Sequence, residues 1–214
     1  MGGCAGKPGA AGGKSGQVLA RATTADELAE RVMAASGAAA WGNVRSIRFD
    51  FVVERGGKEA LRAGHMWDVK RGIDTVSWGG KSVMVDLAAA PVDSDAKAAY
   101  ARWTNDTYWL LAPLKLKDGG TKLELLEPVP YAGRTLERLR VSFEGVGLTP
   151  GDVYTWYIDP ESYLPVAWDY QPNATRTVRF SWDAYVKMGG LTLFTQHFAG
   201  PTAIRIENLQ VTSD

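Results

Sequence analysis

Few side chains in this sequence are of the types that enzymes use for nucleophilic, acid–base or metal chemistry. The chain has two histidines, His65 and His197, which lie far apart, and a single cysteine, Cys4. It contains no HExxH pattern, no GxSxG pattern and no Cys/His cluster, so the usual zinc ligands and the usual setting of a nucleophilic serine are missing. We therefore expect no catalytic residue, no metal and no cofactor.

Acidic residues near predicted strand ends are the remaining candidates for acid–base chemistry. Such residues more often cap turns than transfer protons, but they leave a hydrolase with a carboxylate pair open as a third hypothesis. His65 falls on an apolar strand phase, which favours a hydrogen-bonded core histidine over a general base. The acidic candidates are Asp106, Asp118, Asp152, Asp159 and Glu161.

Cys4 ends the triplet Gly2-Gly3-Cys4, which resembles the end of a bacterial lipobox, where the cysteine becomes the lipidated first residue. The residues that follow, 5–17, are rich in Gly, Ala, Ser and Lys, as is typical of a flexible tether. The alternative is a disordered leader with an accidental cysteine. We favour lipidation at Cys4 and a flexible tether over 1–22, with Met1 in place of a natural export signal.

The overall composition limits the partners of the chain. Apolar residues make up 45% of the sequence, and 24 Lys and Arg balance 24 Asp and Glu. A nucleic-acid-binding surface needs a basic excess, so we expect no nucleic-acid partner. The sequence has no apolar run long enough to span a membrane as a helix. We therefore predict membrane contact only through a lipid on Cys4.

Two helices and a long series of strands are predicted after the tether. Thr24 and Glu27 have the spacing of a helix capping box, and a second helix is predicted over 94–103. Period-two alternation between Gly-rich turns then predicts about eleven or twelve strands, one of them over 107–111. No linker divides 23–214, so we predict one mainly β domain, built as an antiparallel barrel or a strongly curved sheet.

Aromatic side chains recur on the strand phases that are predicted to face inward. A curved sheet of this many strands encloses more volume than two short helices fill, and barrels of that size often hold a ligand. The alternative is that the aromatic residues only pack against each other and the helices. The predicted cavity residues of this kind are Phe49, Phe51, Trp67, Trp78, Phe143, Trp156, Trp168 and Trp182.

Two segments, 67–86 and 154–165, carry a family likeness. The first contains Trp67-Asp-Val-Lys-Arg-Gly-Ile-Asp-Thr-Val-Ser-Trp78, and the second is Tyr154-Thr-Trp-Tyr-Ile-Asp-Pro-Glu-Ser-Tyr-Leu-Pro165. Together with the order helix, four-strand meander, helix and further strands, they resemble the periplasmic lipoprotein carrier and receptor family (LolA/LolB-like).

The resemblance implies an incomplete antiparallel β-barrel of about eleven strands, with helices over its concave face and acyl chains bound inside. It also adds Arg71 to the cavity, although Gly72 stands where the family usually has Pro.

The leading hypothesis is thus a lipid-anchored protein of the bacterial cell envelope, facing the periplasm, that binds acyl chains of lipids or lipoproteins. The alternative is a non-enzymatic module on the same fold that binds other envelope proteins or senses envelope stress.

Overall fold

The computed structural model describes residues 21–214. Cys4 and almost all of the predicted tether lie outside these residues. The first helix, α1 (Ala25–Ala35), begins where the capping box was predicted, because the Thr24 hydroxyl accepts a hydrogen bond from the backbone N–H of Glu27 at 3.1 Å. The Glu27 carboxylate in turn accepts one from the backbone N–H of Thr23 at 2.8 Å.

Twelve strands follow, and they form two curved antiparallel sheets. The first sheet has seven strands in the order β10-β11-β12-β1-β2-β3-β4, and the second has five in the order β5-β6-β7-β8-β9. The strands are β1 (Val44–Arg55), β2 (Lys58–Asp68), β3 (Ile73–Trp78), β4 (Lys81–Asp86), β5 (Thr121–Tyr131), β6 (Arg134–Phe143), β7 (Val153–Ile158), β8 (Pro165–Asn173), β9 (Arg176–Ser181), β10 (Asp183–Met188), β11 (Leu191–Ala199) and β12 (Thr202–Ser213).

The prediction of a mainly β domain of curved antiparallel strands that do not close into a barrel is confirmed for the described residues, but the strands form two sheets and not one. The chain passes from one sheet to the other at Trp182, whose backbone N–H still donates a hydrogen bond to the Val166 carbonyl of β8, at 2.9 Å. The next residue, Asp183, already pairs with Gln196 of β11. This switch explains why a continuous run of alternating residues does not become one continuous sheet.

The second helix, α2 (Ser94–Leu111), is longer than predicted, and the strand predicted over 107–111 is wrong. The Thr107 hydroxyl donates to the Trp103 carbonyl one turn back, at 2.6 Å, as a helical threonine does. No Gly or Pro interrupts the chain between 94 and 111, and the helix ends just before Pro113. The alternation of apolar residues over 107–111 misled the prediction because this end of the helix is buried against both sheets.

The core lies between the two sheets, with α2 inside their curve. Trp109 of α2 packs edge-on against Trp168 and Phe180 of the second sheet, with ring centroids 4.8 and 4.9 Å apart. One and a half turns earlier, Trp103 packs against Trp67 of the first sheet at 5.5 Å. Helix α2 therefore contacts both sheets and sets the distance between them. Two short 3-10 helices, Ala38–Asn43 and Ala112–Leu114, complete the described elements.

Candidate functional site

A cavity of about 490 Å³ lies between α2 and the second sheet. Its walls come from one face of α2, the turn after the helix, the ends of β5 to β8 and the loop 144–152. The lining residues are Tyr100, Trp103, Thr104, Asn105, Tyr108, Trp109, Lys115, Asp118, Gly119, Thr121, Phe143, Val146, Gly147, Leu148, Thr149, Asp152, Tyr154 and Tyr170.

Aromatic rings form most of the deep wall of this cavity. The Tyr108 ring lies edge-on to Phe143 at 5.9 Å and tilted to Tyr154 at 5.4 Å. Tyr154 and Tyr170, which pair across β7 and β8, are stacked at 5.1 Å. Such rings give a ligand a broad apolar contact while their hydroxyls provide hydrogen-bond partners.

The charged groups of the cavity lining are two carboxylates, Asp118 and Asp152, and one amine, Lys115. Asp152 is only 5% exposed and accepts a hydrogen bond from the Thr149 hydroxyl at 2.6 Å. Asp118 is exposed and pairs with Lys115 at 2.8 Å. These groups can orient the polar end of a ligand, whereas the lining includes no cysteine, no histidine and no activated serine.

The hydroxyls of Tyr108, Tyr154 and Tyr170 stay protonated. Burial, followed by the charge of Asp152 and a hydrogen bond with it, raises the pKa of Tyr170 to about 12. Burial and nearby negative charge also raise the pKa of Tyr108 and of Tyr154. All three residues therefore act as neutral hydrogen-bond donors in a site of negative potential.

The loop 144–152 forms one side of the mouth of the cavity. Val146 and Leu148 are 37% and 50% exposed, so the loop presents apolar groups to the solvent at the opening. The loop rests on Gly120, where an added Cβ would lie 2.6 Å from a Val146 methyl and where the backbone φ is +83°. Glycine is therefore required at position 120 for the loop to sit where it does.

The structure places one of the predicted cavity residues, Phe143, in the lining of this cavity. Three predicted residues form a packed cluster next to the cavity: Trp156, Trp168 and Trp182. Their ring centroids lie 4.9 to 5.7 Å apart, and none of the three side chains is more than 4% exposed. We call these three residues the tryptophan cluster. Their inward phase was predicted correctly, but the space they face is occupied by α2.

The predicted residues of the first sheet also lie away from the cavity. Phe49 and Phe51 are buried on β1, where Phe49 stacks on His65 at 4.5 Å. Trp67 is buried against Trp103.

The other two predicted residues of the first sheet lie nearer the surface. Trp78 is half-buried at the end of β3, with the Arg102 guanidinium 5.2 Å above its ring. Arg71 is exposed in the turn between β2 and β3, where its backbone N–H bonds Asp68 at 3.0 Å.

The residues that α2 contributes to the cavity were not predicted from the sequence. Tyr100, Thr104 and Tyr108 repeat every four residues and so share one helical face, but the strand predicted over 107–111 hid this pattern. Asp152 was interpreted as a turn cap, and it does bond within its turn. Its burial in the cavity follows from long-range packing that sequence spacing does not report.

His65 is a paired core histidine, as predicted. Its Nδ1 lies 2.7 Å from Asp74 and its Nε2 lies 3.1 Å from Asp106, and all three side chains are buried. Burial alone would lower the pKa of His65, but the hydrogen bonds and charges of Asp106 and Asp74 outweigh it and raise the pKa to about 9. Asp106 belongs to α2, so this cluster anchors the helix to β2 and β3. Asp106 was wrongly predicted near a strand end.

His197 has the opposite environment. Its ring packs edge-on against Trp182 at 4.7 Å and Trp109 at 5.3 Å. Burial lowers the pKa of His197 to about 4. It is therefore a neutral core residue. In residues 21–214 no group of three or more His, Cys, Asp or Glu side chains is arranged to hold a metal ion.

Comparison with solved structures identifies the fold. A LolA superfamily protein from Nitrosomonas europaea superposes with a TM-score of 0.52 at 9% identity, covering 90% of this chain and 96% of that one. The chain has a LolA-like fold.

A DUF1329 family protein from Desulfovibrio piger gives a TM-score of 0.51 at 13% identity, over 87% and 92% of the two chains. A domain named for outer-membrane lipoprotein sorting, from Vibrio parahaemolyticus, gives 0.50 at 9% identity, over 87% and 91%. No family profile and no curated protein sequence matches the chain. Among the described residues, no helix is both long enough and apolar enough to cross a membrane.

Proposed function

We propose that this LolA-like protein is a non-enzymatic carrier or receptor that binds an acyl chain of a lipid or lipoprotein in the cavity between α2 and the second sheet. The observation that carries the proposal is the cavity itself. Its deep wall is aromatic, and its lining includes one buried carboxylate, Asp152. Its volume of about 490 Å³ falls in the range of small-molecule binding sites.

The expected affinity follows from the apolar surface that a chain would bury. Each methylene moved from water into such a site gains about 0.8 kcal/mol. A chain with ~10 buried methylenes would gain ~8 kcal/mol, which corresponds to about micromolar affinity as the upper bound before the cost of association. Because the mouth loop carries Val146 and Leu148, the chain can pass from the deep wall to the surface along apolar groups on that side of the opening.

The names of two structural neighbours agree with this role, since one belongs to the LolA superfamily and the other is named for lipoprotein sorting. The proposal also includes lipidation of Cys4, a location in the cell envelope and partners among other envelope proteins. Cys4 lies outside the described residues, so its support is the lipobox-like triplet alone. Expression behind an export signal should give protein that incorporates labelled palmitate, and Cys4→Ser should abolish the label.

Calorimetric titration with alkyl ligands of increasing length tests the acyl-chain proposal. Affinity should rise about fourfold for each added methylene, as the transfer free energy requires. Thr104→Trp, which places a large ring into the cavity from α2, should weaken binding about tenfold or more. Ala98→Trp adds the same ring on the exposed face of the same helix and should leave binding unchanged.

An affinity that does not depend on chain length, or a Thr104→Trp variant that binds as well as the parent, would contradict the proposal. The alternative of a protein-interaction module would then take its place.

A further inference from the structure

The lining of the cavity carries more acidic than basic side chains. Lys115 is the one cation among its described lining residues, and it is already paired with Asp118 at 2.8 Å. Asp152 forms no salt bridge within the described part of the chain and instead accepts a hydrogen bond from the Thr149 hydroxyl. The cavity therefore contains one deeply buried carboxylate without a cationic partner.

The negative charge of Asp152 acts on the aromatic wall of the cavity. It contributes to the raised pKa of Tyr108, Tyr154 and Tyr170, which places all three rings within its electrostatic reach. Seven of the lining residues are aromatic. The π faces of such rings attract cations, most strongly where water is excluded, and aromatic cages bind quaternary ammonium groups in this way.

The same arrangement disfavours an anionic headgroup. A carboxylate or sulfate near the tyrosines would meet Asp152 at close range, and Lys115 would have to leave Asp118 to compensate for it. A neutral headgroup would leave the buried charge of Asp152 uncompensated. An ammonium group, in contrast, satisfies the carboxylate and the ring faces together.

We propose that the cavity selects amphiphiles that carry an ammonium group, which Asp152 and the rings of Tyr108, Tyr154 and Tyr170 hold while the alkyl chain lies along α2. This inference rests on the proposed acyl-chain function and adds the chemical class of the headgroup. The ammonium could belong to a free alkylammonium compound or to the choline headgroup of a phospholipid, because both present the same cation.

The test compares headgroups at one chain length. Decyltrimethylammonium, decyl sulfate and decyl glucoside are titrated below their critical micelle concentrations at low salt. We expect the cation to bind about tenfold more tightly than the sulfate and more tightly than the glucoside. Equal affinities would overturn the headgroup inference while leaving the acyl-chain function standing. If none of the three binds, the acyl-chain function itself fails.

Substitution of the carboxylate gives a second test. Asp152→Asn should remove the preference for the cation but leave glucoside binding within about twofold, since the apolar wall is unchanged. Glu124→Gln removes an exposed acid of β5 that pairs with Arg140 outside the cavity lining, and it should not change the binding of either ligand. A retained cation preference in a folded Asp152→Asn variant would contradict the inference. If that variant does not fold, the headgroup comparison on the parent protein and the Glu124→Gln control still decide the question.

Decanoyl lysophosphatidylcholine separates the two sources of the ammonium group. Binding at least as tight as that of decyltrimethylammonium would assign the site to a choline lipid headgroup. Binding only of the free cation would assign it to alkylammonium compounds.

Discussion

Two neighbouring cross-strand pairs of the second sheet are both aromatic, but one is packed in the core and the other lines the cavity. We call these pairs the tryptophan rung and the tyrosine rung. Trp156 pairs with Trp168 across β7 and β8, and two residues away Tyr154 pairs with Tyr170. The tryptophan rung is fully buried and packs against Trp109 of α2 and against Trp182. The tyrosine rung lines the cavity. Both rungs point inward, so strand phase alone does not distinguish a filled interior from an open one.

The difference lies in the partner that each rung meets. Opposite the tryptophans, α2 presents the large Trp109 ring, which contacts Trp168, Phe180 and His197. Around the tyrosines the opposing groups are Thr104 and Tyr108 of α2 and the glycine-containing loop 144–152, and these leave space. We therefore expect the tryptophan rung to contribute mainly to stability and the tyrosine rung mainly to ligand binding.

Truncation of one member of each rung should give the largest contrast. Trp168→Ala removes a fully buried indole and should lower the free energy of unfolding by about 3–5 kcal/mol. Tyr170→Ala removes a half-buried ring beside existing space and should cost roughly 1 kcal/mol while weakening ligand binding. Urea denaturation measures both, and similar losses for the two variants would show that the tyrosine rung is packed as well.

The two buried histidines should give the protein a stability maximum near neutral pH. The pKa of His65 is raised in the folded state, so its contribution is complete below about pH 6.5 and is lost as the pH rises through about 9. The pKa of His197, beside the tryptophan cluster, is lowered, so stability falls as the pH drops from about 6.5 to about 4. These two losses form the alkaline limb and the acid limb of the pH profile. In each limb the free energy of unfolding should fall by on the order of 3 kcal/mol.

Thermal denaturation across this pH range, with two variants, assigns the limbs. His65→Gln should flatten the alkaline limb and His197→Phe the acid limb, each leaving the other limb in place. An alkaline limb that persists in folded His65→Gln would mean that another group carries it.

A substitution at the mouth should affect binding without affecting stability. Leu148 is half exposed on the loop 144–152, so Leu148→Ala should change the free energy of unfolding by no more than about 0.5 kcal/mol. It should still weaken binding of a long alkyl ligand about threefold, because the outer part of the chain loses apolar contact. The exposed Met84 on β4 provides the control, since Met84→Ala removes a similar apolar group far from the cavity.

The sequence predicted the parts of this structure that depend on local patterns. The capping box at Thr24 and the inward phase of Trp156 and Trp168 follow from spacing alone, and the structure contains both. The length of α2 was missed because alternating residues over 107–111 satisfy a strand and a buried helix equally well.

The position of the cavity was also missed, because it depends on which α2 side chain meets which rung. That pairing is a long-range contact which no local pattern encodes. Of the predicted cavity residues, Phe143 lies in the lining, and Arg71 lies in an exposed turn.

A crystal structure with an alkyl ligand that carries bromine at its terminal carbon would show whether the chain binds in the cavity. Anomalous scattering locates the bromine independently of how well the rest of the chain is ordered. We expect a bromine peak inside the cavity, in contact with its lining residues, with the tryptophan cluster unmoved. A peak among Trp156, Trp168 and Trp182, or a saturating ligand bound only on the outer surface, would contradict it.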